Sequence, residues 1–493
     1  MLEVIARFFT AARGIEELLP HSRKTDECPP RGYLFNSLRM KAMMLRKTLI
    51  SVGAILLMPL MAASQLRDEP KGGERWVCTW ATAQQLMPMM LPGGRGPSRG
   101  GLPPAIESSR REGAAPQAAN RQPQSGRGTS PIMFNMPADL ESQTVRMIVR
   151  TSLGGRRVRI NLSNSLGGPA VQVGSAHIAF HKAGGGIVPG TDRAVTFDRK
   201  PSCVLIPGVL MLSDPVDLQV PPLAELAVSL YFPRETGPPT NHRLGLHTAY
   251  VSKGDTTDRE IMPEPSTAFA YFWLASIDVL APADAFSIVA LGDSITDGYA
   301  TTVDANRAWP ALLAKRLISN RSTRHISVVN QGISGNQVLR DGAGLSALAR
   351  FDRDVLGVAG VKWVVLLEGI NDINMRGRTD GPDALTSDDL ITGYRQIIER
   401  SHTHGIKVAG ATLTPEEGVP TASERGEEIR RTVNQWIRTS GQFDAVVDFD
   451  AVIRDPARPA RVRPEFDPGD RIHPNDAGNQ AMADAFDLKI FRK

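Results

Sequence analysis

Four short stretches of the chain carry side chains suited to acyl transfer. They are Gly292-Asp293-Ser294-Ile295-Thr296-Asp297-Gly298, Asn330-Gln331-Gly332-Ile333-Ser334-Gly335-Asn336, Gly369-Ile370-Asn371-Asp372 and Asp470-Arg471-Ile472-His473-Pro474. Acyl transfer through a serine needs a nucleophile, a base, a group that orients the base, and donors for the developing oxyanion. Ser294 fits the nucleophile. His473 fits the base, with Asp470 three residues earlier placed to accept its Nδ1–H and fix the tautomer. Gly335 could offer its backbone N–H and Asn371 its side-chain amide to the oxyanion.

Each residue also has an ordinary reading. A serine after a strand can simply cap a helix, a glycine and an asparagine are common in βα loops, and an aspartate beside a histidine can be a surface pair. The four stretches in one chain outweigh those separate readings. The G-x-S-x-G elbow is absent, because Thr296 stands where its second glycine would be. Gly292 is expected to permit a sharp turn before Ser294, and N–H groups at Ile295–Gly298 to face an oxyanion. Pro474 suits the first turn of a closing helix, whose N-terminus Asp476, a competing partner for His473, would serve instead.

The elements that must hold these groups follow from hydrophobic period. Ser287–Leu291, Ile326–Asn330, Lys362–Glu368, Lys407–Thr412 and Ala445–Asp448 are short apolar runs, as in parallel strands covered on both faces. Helical segments lie between them at Trp309–Ser319, Asp388–His402 and Glu424–Thr439, with Asn475–Leu488 last. In Glu424–Thr439, Ile429, Val433, Trp436 and Ile437 share one face. The pattern predicts an α/β fold over residues 283–493, a doubly wound parallel sheet with its ligand site at the carboxyl ends of the strands. Residues 65–282 read differently. Trp76–Gln84 and Ala227–Phe232 are strand-like, and Val158, Ile160 and Leu162 alternate with Arg159, Asn161 and Ser163. Turn residues punctuate these runs without a long helix, so this part is expected to be an all-β sandwich. Residues 87–137 are dominated by Pro, Gly, Arg, Ser and Met, and are expected to be a disordered insertion.

Composition narrows the partners. The formal charge is +5, but residues 1–64 carry 9 Lys/Arg against 5 Asp/Glu, which leaves 48 against 47 beyond them. No nucleic-acid footprint survives that subtraction. Lys41, Arg46 and Lys47 precede the apolar run 48–61, and Ala62-Ala63-Ser64 follows, the order of a secretory signal cleaved before Gln65. About 14 apolar residues fall short of the roughly 20 needed for a membrane span, so no stable anchor is expected. Residues 1–64 are therefore expected to be a leader, and the protein to act in the periplasm or outside the cell. Beyond the leader only Cys78 and Cys203 remain, and their pairing stays open. His402-Thr403-His404 is the His pair nearest in sequence, a weak case for a metal.

Taken together, the four stretches resemble the blocks of the SGNH, or GDSL, hydrolase superfamily, over roughly residues 285–493. Ser294 matches in GDSITDG, Gly335 in NQGISG, Asn371 in GIND, and Asp470 with His473 in DRIHP. The resemblance implies a flavodoxin-like sheet and ester hydrolysis without a metal or organic cofactor. Upstream, WVCTWATAQ, RTSLGGRRVRINLSN and SDPVDLQVPPLAELAVSLY resemble the N-terminal β domain of secreted bacterial GDSL esterases, some of them similar to xylan-degradation-associated enzymes. That subgroup implies short-chain esters, acetyl groups on plant polysaccharide among them, as substrates. A lipase or arylesterase is the nearer alternative. A carbohydrate- or surface-binding protein whose β domain carries the main role is the more distant one.

Overall fold

The computed structural model describes residues 73–85 and 137–492, which lie in one compact unit. The leader 1–64, and the insertion 87–137 apart from its last residue, fall outside the described residues.

From Phe286 onward the apolar runs form a five-stranded parallel sheet. Its order is Ile326–Gly332, Phe286–Gly292, Val361–Leu367, Lys407–Ala411, Ala445–Val447. Numbered along the chain this is 2-1-3-4-5, the flavodoxin-like order, whose switch point lies between the first and third strands. Ile288, Val289, Val364 and Val365 are wholly buried, which is why these strands read as continuous apolar runs rather than alternating ones. Helices Trp309–Ser319, Ser387–Thr403 and Glu424–Thr439 occupy the expected segments. The last helix is shorter than its pattern implied. It runs Asp476–Asp484 with Asn475 as N-cap, and a separate 3₁₀ turn, Leu488–Arg492, follows. Pro474 therefore sits one residue before the cap, outside the first turn; its carbonyl accepts from Asn479 Nδ2 at 2.7 Å.

The strands before Pro282 are antiparallel. A six-stranded sheet contains Gln143–Arg150 and Glu225–Phe232 at its centre, and a four-stranded sheet contains Glu74–Ala81, Leu274–Pro282 and Val158–Ser163. The two share one core, in which Val145, Met147 and Val228 of one sheet meet Val158, Ile160 and Ile277 of the other. Arg159 and Asn161 face away from it, pairing with Asp278 and Ser276.

This β part is fastened to the parallel sheet by buried polar contacts. The Cys78 carbonyl accepts from Ser287 Oγ at 2.8 Å and Ser327 Oγ at 2.6 Å, and Cys78 N–H donates to the Ala359 carbonyl. Ser152 Oγ meets Ser327 Oγ at 2.7 Å. A backbone carbonyl this deeply buried costs free energy unless donors reach it, so serine at those strand starts replaces the apolar residue the pattern favours. Cys78 and Cys203 are both free thiols, which answers the pairing question. Among the described residues no helix is long and apolar enough to cross a membrane.

Candidate active site

Ser294 opens a one-turn helix, Ser294–Asp297, at the carboxyl end of the first parallel strand. Asp293 caps that turn by accepting from Ile295 N–H at 2.9 Å. That N–H is therefore engaged, and the expectation that it faces an oxyanion is corrected. Gly292 is glycine for a reason other than the expected turn. A β-carbon there would collide with Thr296 Oγ1 and the Leu367 carbonyl, so the residue is glycine to let the helix lie on the neighbouring strand.

Ser294 is 6% exposed, and its Oγ lies 2.8 Å from His473 Nε2. His473 Nδ1 lies 2.8 Å from Asp470 Oδ2. Asp470 Oδ1 also accepts from the backbone N–H groups of Ile472 and His473, so the turn is closed by its own carboxylate. Between them Arg471 is held at φ 69°, a left-handed conformation that costs a non-glycine residue free energy. Burial works against the Asp470 charge, but the His473 ring and those N–H groups outweigh it and hold its carboxyl below the usual range. The neutral ring must donate from Nδ1 to that carboxylate, which leaves Nε2 as an acceptor toward the serine hydroxyl. Asp476 does not reach His473. Its oxygens take the N–H and hydroxyl of Thr302 at 2.9 and 2.7 Å.

The loop after the second parallel strand comes to the same edge. Gly335 has φ 82°, a conformation that favours glycine. It is clamped on both sides. Ser334 donates its N–H and hydroxyl to Asp297 Oδ2, at 3.0 and 2.8 Å, and the Asn336 carbonyl accepts from Asn371 Nδ2 at 2.9 Å. Asn371 stands in the first turn of a helix, Ile370–Arg376, rather than in a loop. One of its amide hydrogens is spent on Asn336, and the other remains for a ligand. Ser294, His473 and Asp470 are thus joined by direct bonds, and Asn371 to the residue after Gly335 by another, with Ser294, Gly335 and Asn371 all following carboxyl ends of neighbouring parallel strands.

Three neighbours carried no local sequence signal. Tyr299 packs its ring 4.3 Å from the His473 ring, and its N–H donates to the Ser294 carbonyl. Arg350, wholly buried, donates to the carbonyls of Gly292 at 3.0 Å and Gln331 at 2.6 Å, and to Asn336 Oδ1 at 2.9 Å. One guanidinium thereby ties together the strand ends that carry Ser294 and Gly335. His242, from the β part, meets Asp297 at 2.9 Å.

Beneath the rim lies a buried acidic group. Glu368 is 3.6 Å from Arg350, beyond hydrogen-bond distance, and neither carboxyl oxygen has a partner among the described residues. Burial, with Asp293 and Asp372 nearby, pushes its pKa well above the ordinary carboxyl value, against the opposing charge of Arg350. Burial likewise lifts Asp293 to about 7 and Asp372 to about 6, against the N–H groups that each accepts.

A flavodoxin-like sheet with this serine, glycine, asparagine and histidine at its switch point defines the class of SGNH hydrolases. Residues 290–481 match the model of the GDSL-like Lipase/Acylhydrolase family, and this part of the chain is a domain of that family. The β part lies outside the match. No curated protein matches the chain. Among solved structures, a GDSL-like lipase from Bacteroides thetaiotaomicron is similar at 19% identity, covering 42% of this chain and 88% of its own, with a TM-score of 0.32. An acetylxylan esterase from Geobacillus stearothermophilus is similar at 22% identity, covering 42% and 95%, with a TM-score of 0.32.

Proposed function

We propose that the protein is a serine carboxylic ester hydrolase acting through an acyl-enzyme. Ser294 Oγ attacks the ester carbonyl as His473 Nε2 takes its proton, and Asp470 keeps the ring oriented and stabilises the imidazolium. The N–H groups of Ser294 and Gly335 and the Asn371 amide receive the oxyanion, each donor being worth about 3–4 kcal/mol in the transition state. His473 then protonates the leaving alkoxide, and water repeats the sequence on the acyl-serine. The observation that carries this reading is the unbroken relay of 2.8 Å contacts from Ser294 through His473 to Asp470. Turnover of p-nitrophenyl acetate tests it. Ser294→Ala should abolish hydrolysis with the fold intact, and full activity in that variant would remove the nucleophile assignment.

The substrates proposed are short acyl esters, acetyl groups on plant polysaccharide in particular, met after export from the cytoplasm. Support comes from the signal-like order of residues 41–64, which fits an enzyme that meets its ester outside the cytoplasm. An acyl-chain series run beside acetylated xylan checks the first point. Preference for long chains would favour a lipase instead.

A further inference from the structure

The β part contributes a histidine to the back of the site. His242 sits in a two-residue strand, Asn241–His242, paired with Tyr271–Phe272. Its ring is 3% exposed, as is the carboxylate of Asp297 that it meets. Nε2 lies 2.9 Å from Asp297 Oδ1, and Nδ1 lies 2.7 Å from the carbonyl of Ala83. A carbonyl can only accept, so Nδ1 carries a proton. A carboxylate can only accept, so Nε2 carries one as well. The pair therefore holds one proton more than a neutral ring beside an ionised acid would. The other oxygen of Asp297 holds Ser334, whose N–H and hydroxyl fix the residue just before Gly335.

We propose that His242 is a positioning residue for the oxyanion loop: protonated on both nitrogens, it holds Asp297, which through Ser334 sets the N–H of Gly335 against the reacting carbonyl. This rests on the reading of Ser294 as the nucleophile. It gives the β part a role beyond cover, because its removal would leave a buried carboxylate without its cation.

Electrostatics agree with the geometry. Burial favours the neutral ring, yet Asp297 and the Ala83 carbonyl outweigh it and raise His242 above the ordinary histidine range, against the opposing charge of Arg350. Tyr271 packs with its ring 6.5 Å from that of His242. Arg150, His247 and Arg307 line with it a cavity of about 110 Å³ between the β part and the parallel sheet. A folded-state pKa raised in this way means that the ion pair is present below that pKa and is lost as pH rises through it. The oxyanion loop thus loosens on the alkaline side.

The test is steady-state hydrolysis of p-nitrophenyl acetate by the full chain between about pH 6 and pH 10, with blank correction, comparing wild type with His242→Gln, Ser334→Ala and His402→Gln. His242→Gln should lower kcat about tenfold to a hundredfold with KM changed less than about twofold, the split expected when a transition-state contact is displaced. Wild type should lose kcat at the alkaline end, and His242→Gln should lack that fall. His402→Gln, in an exposed pair with Asp444, should match wild type throughout. If His242→Gln does not fold, Ser334→Ala becomes the decisive variant, since it removes the hydroxyl, the shorter of the two contacts that Asp297 makes to the loop, at a half-buried position. A normal kcat in it overturns the proposal. So does a His242→Gln enzyme with wild-type kcat and the alkaline fall intact. Wild-type activity that survives Ser294→Ala would instead overturn the underlying esterase reading, and the two failures are distinguishable.

Discussion

Replacing Arg350 by methionine tests whether one buried side chain holds the site together. The guanidinium is 0% exposed and donates to Gly292 O, Gln331 O and Asn336 Oδ1, with a fourth contact to Asp354 at 3.2 Å. Asp354 keeps Arg353, which approaches it at 2.8 Å, so its charge stays paired in the variant. The Gly292 carbonyl keeps the Ile333 N–H at 3.0 Å, whereas the buried Gln331 carbonyl and Asn336 amide oxygen lose the donor that Arg350 supplied. Each buried acceptor so orphaned costs about 1–3 kcal/mol, and the packing of the thioether returns part of the sum. The net expectation is a loss of about 3–5 kcal/mol, the range seen when a buried ionic contact is broken. Activity should fall beyond what instability explains. The Asn336 carbonyl orients the Asn371 amide, and a small displacement of an oxyanion donor costs about tenfold to a hundredfold in kcat. Urea unfolding and p-nitrophenyl acetate kinetics on the folded fraction measure both. A variant within about 1 kcal/mol of wild type with unchanged kcat would refute the reasoning.

Two further predictions follow from the site's acids. Asp470→Asn should leave stability nearly unchanged at this partly exposed position and lower kcat by about 10³–10⁴, because the amide no longer enforces the tautomer that leaves Nε2 free; a loss below about tenfold would contradict that role. Glu368 has a raised folded-state pKa, so its contribution to stability is complete below the pKa of the unfolded chain and fades as pH rises toward the folded value. Glu368→Gln removes that dependence, and its stability relative to wild type should therefore climb by about 1.4 kcal/mol per pH unit above about pH 5, read from urea unfolding at several pH values. A constant difference would show that Glu368 is ionised in the folded protein.

The parallel strands were legible because full burial leaves an unbroken apolar run, and Glu424–Thr439 because one apolar stripe repeats at helical spacing. Helix Ile370–Arg376 was not, since INDINMR has too few apolar positions to show a period and forms where the strand end delivers it to the site. Asp470 and His473 could be read as a pair because three residues on a tight turn suffice to join them. Tyr299, His242 and Arg350 could not. Their partners lie at Ser294 and His473, at Asp297, and at Gly292 and Asn336, and no local pattern marks a lone buried histidine or arginine. Pro474 and Gly292 were recognised for their residue types but given the wrong reasons, because cap position and interatomic clearance depend on packing between elements. The buried serine contacts at Cys78 and the His242–Asp297 pair, which fasten the β part to the parallel sheet, also join residues far apart in the chain and leave no local pattern.

The most direct measurement is covalent. Incubation of the full chain with diethyl p-nitrophenyl phosphate, followed by peptide mass spectrometry, should find a single diethylphosphoryl group on Ser294 in wild type, and none in His473→Ala within the same time. A label on another residue, or labelling of Ser294 that is indifferent to His473, would contradict the assignment of this serine as the nucleophile.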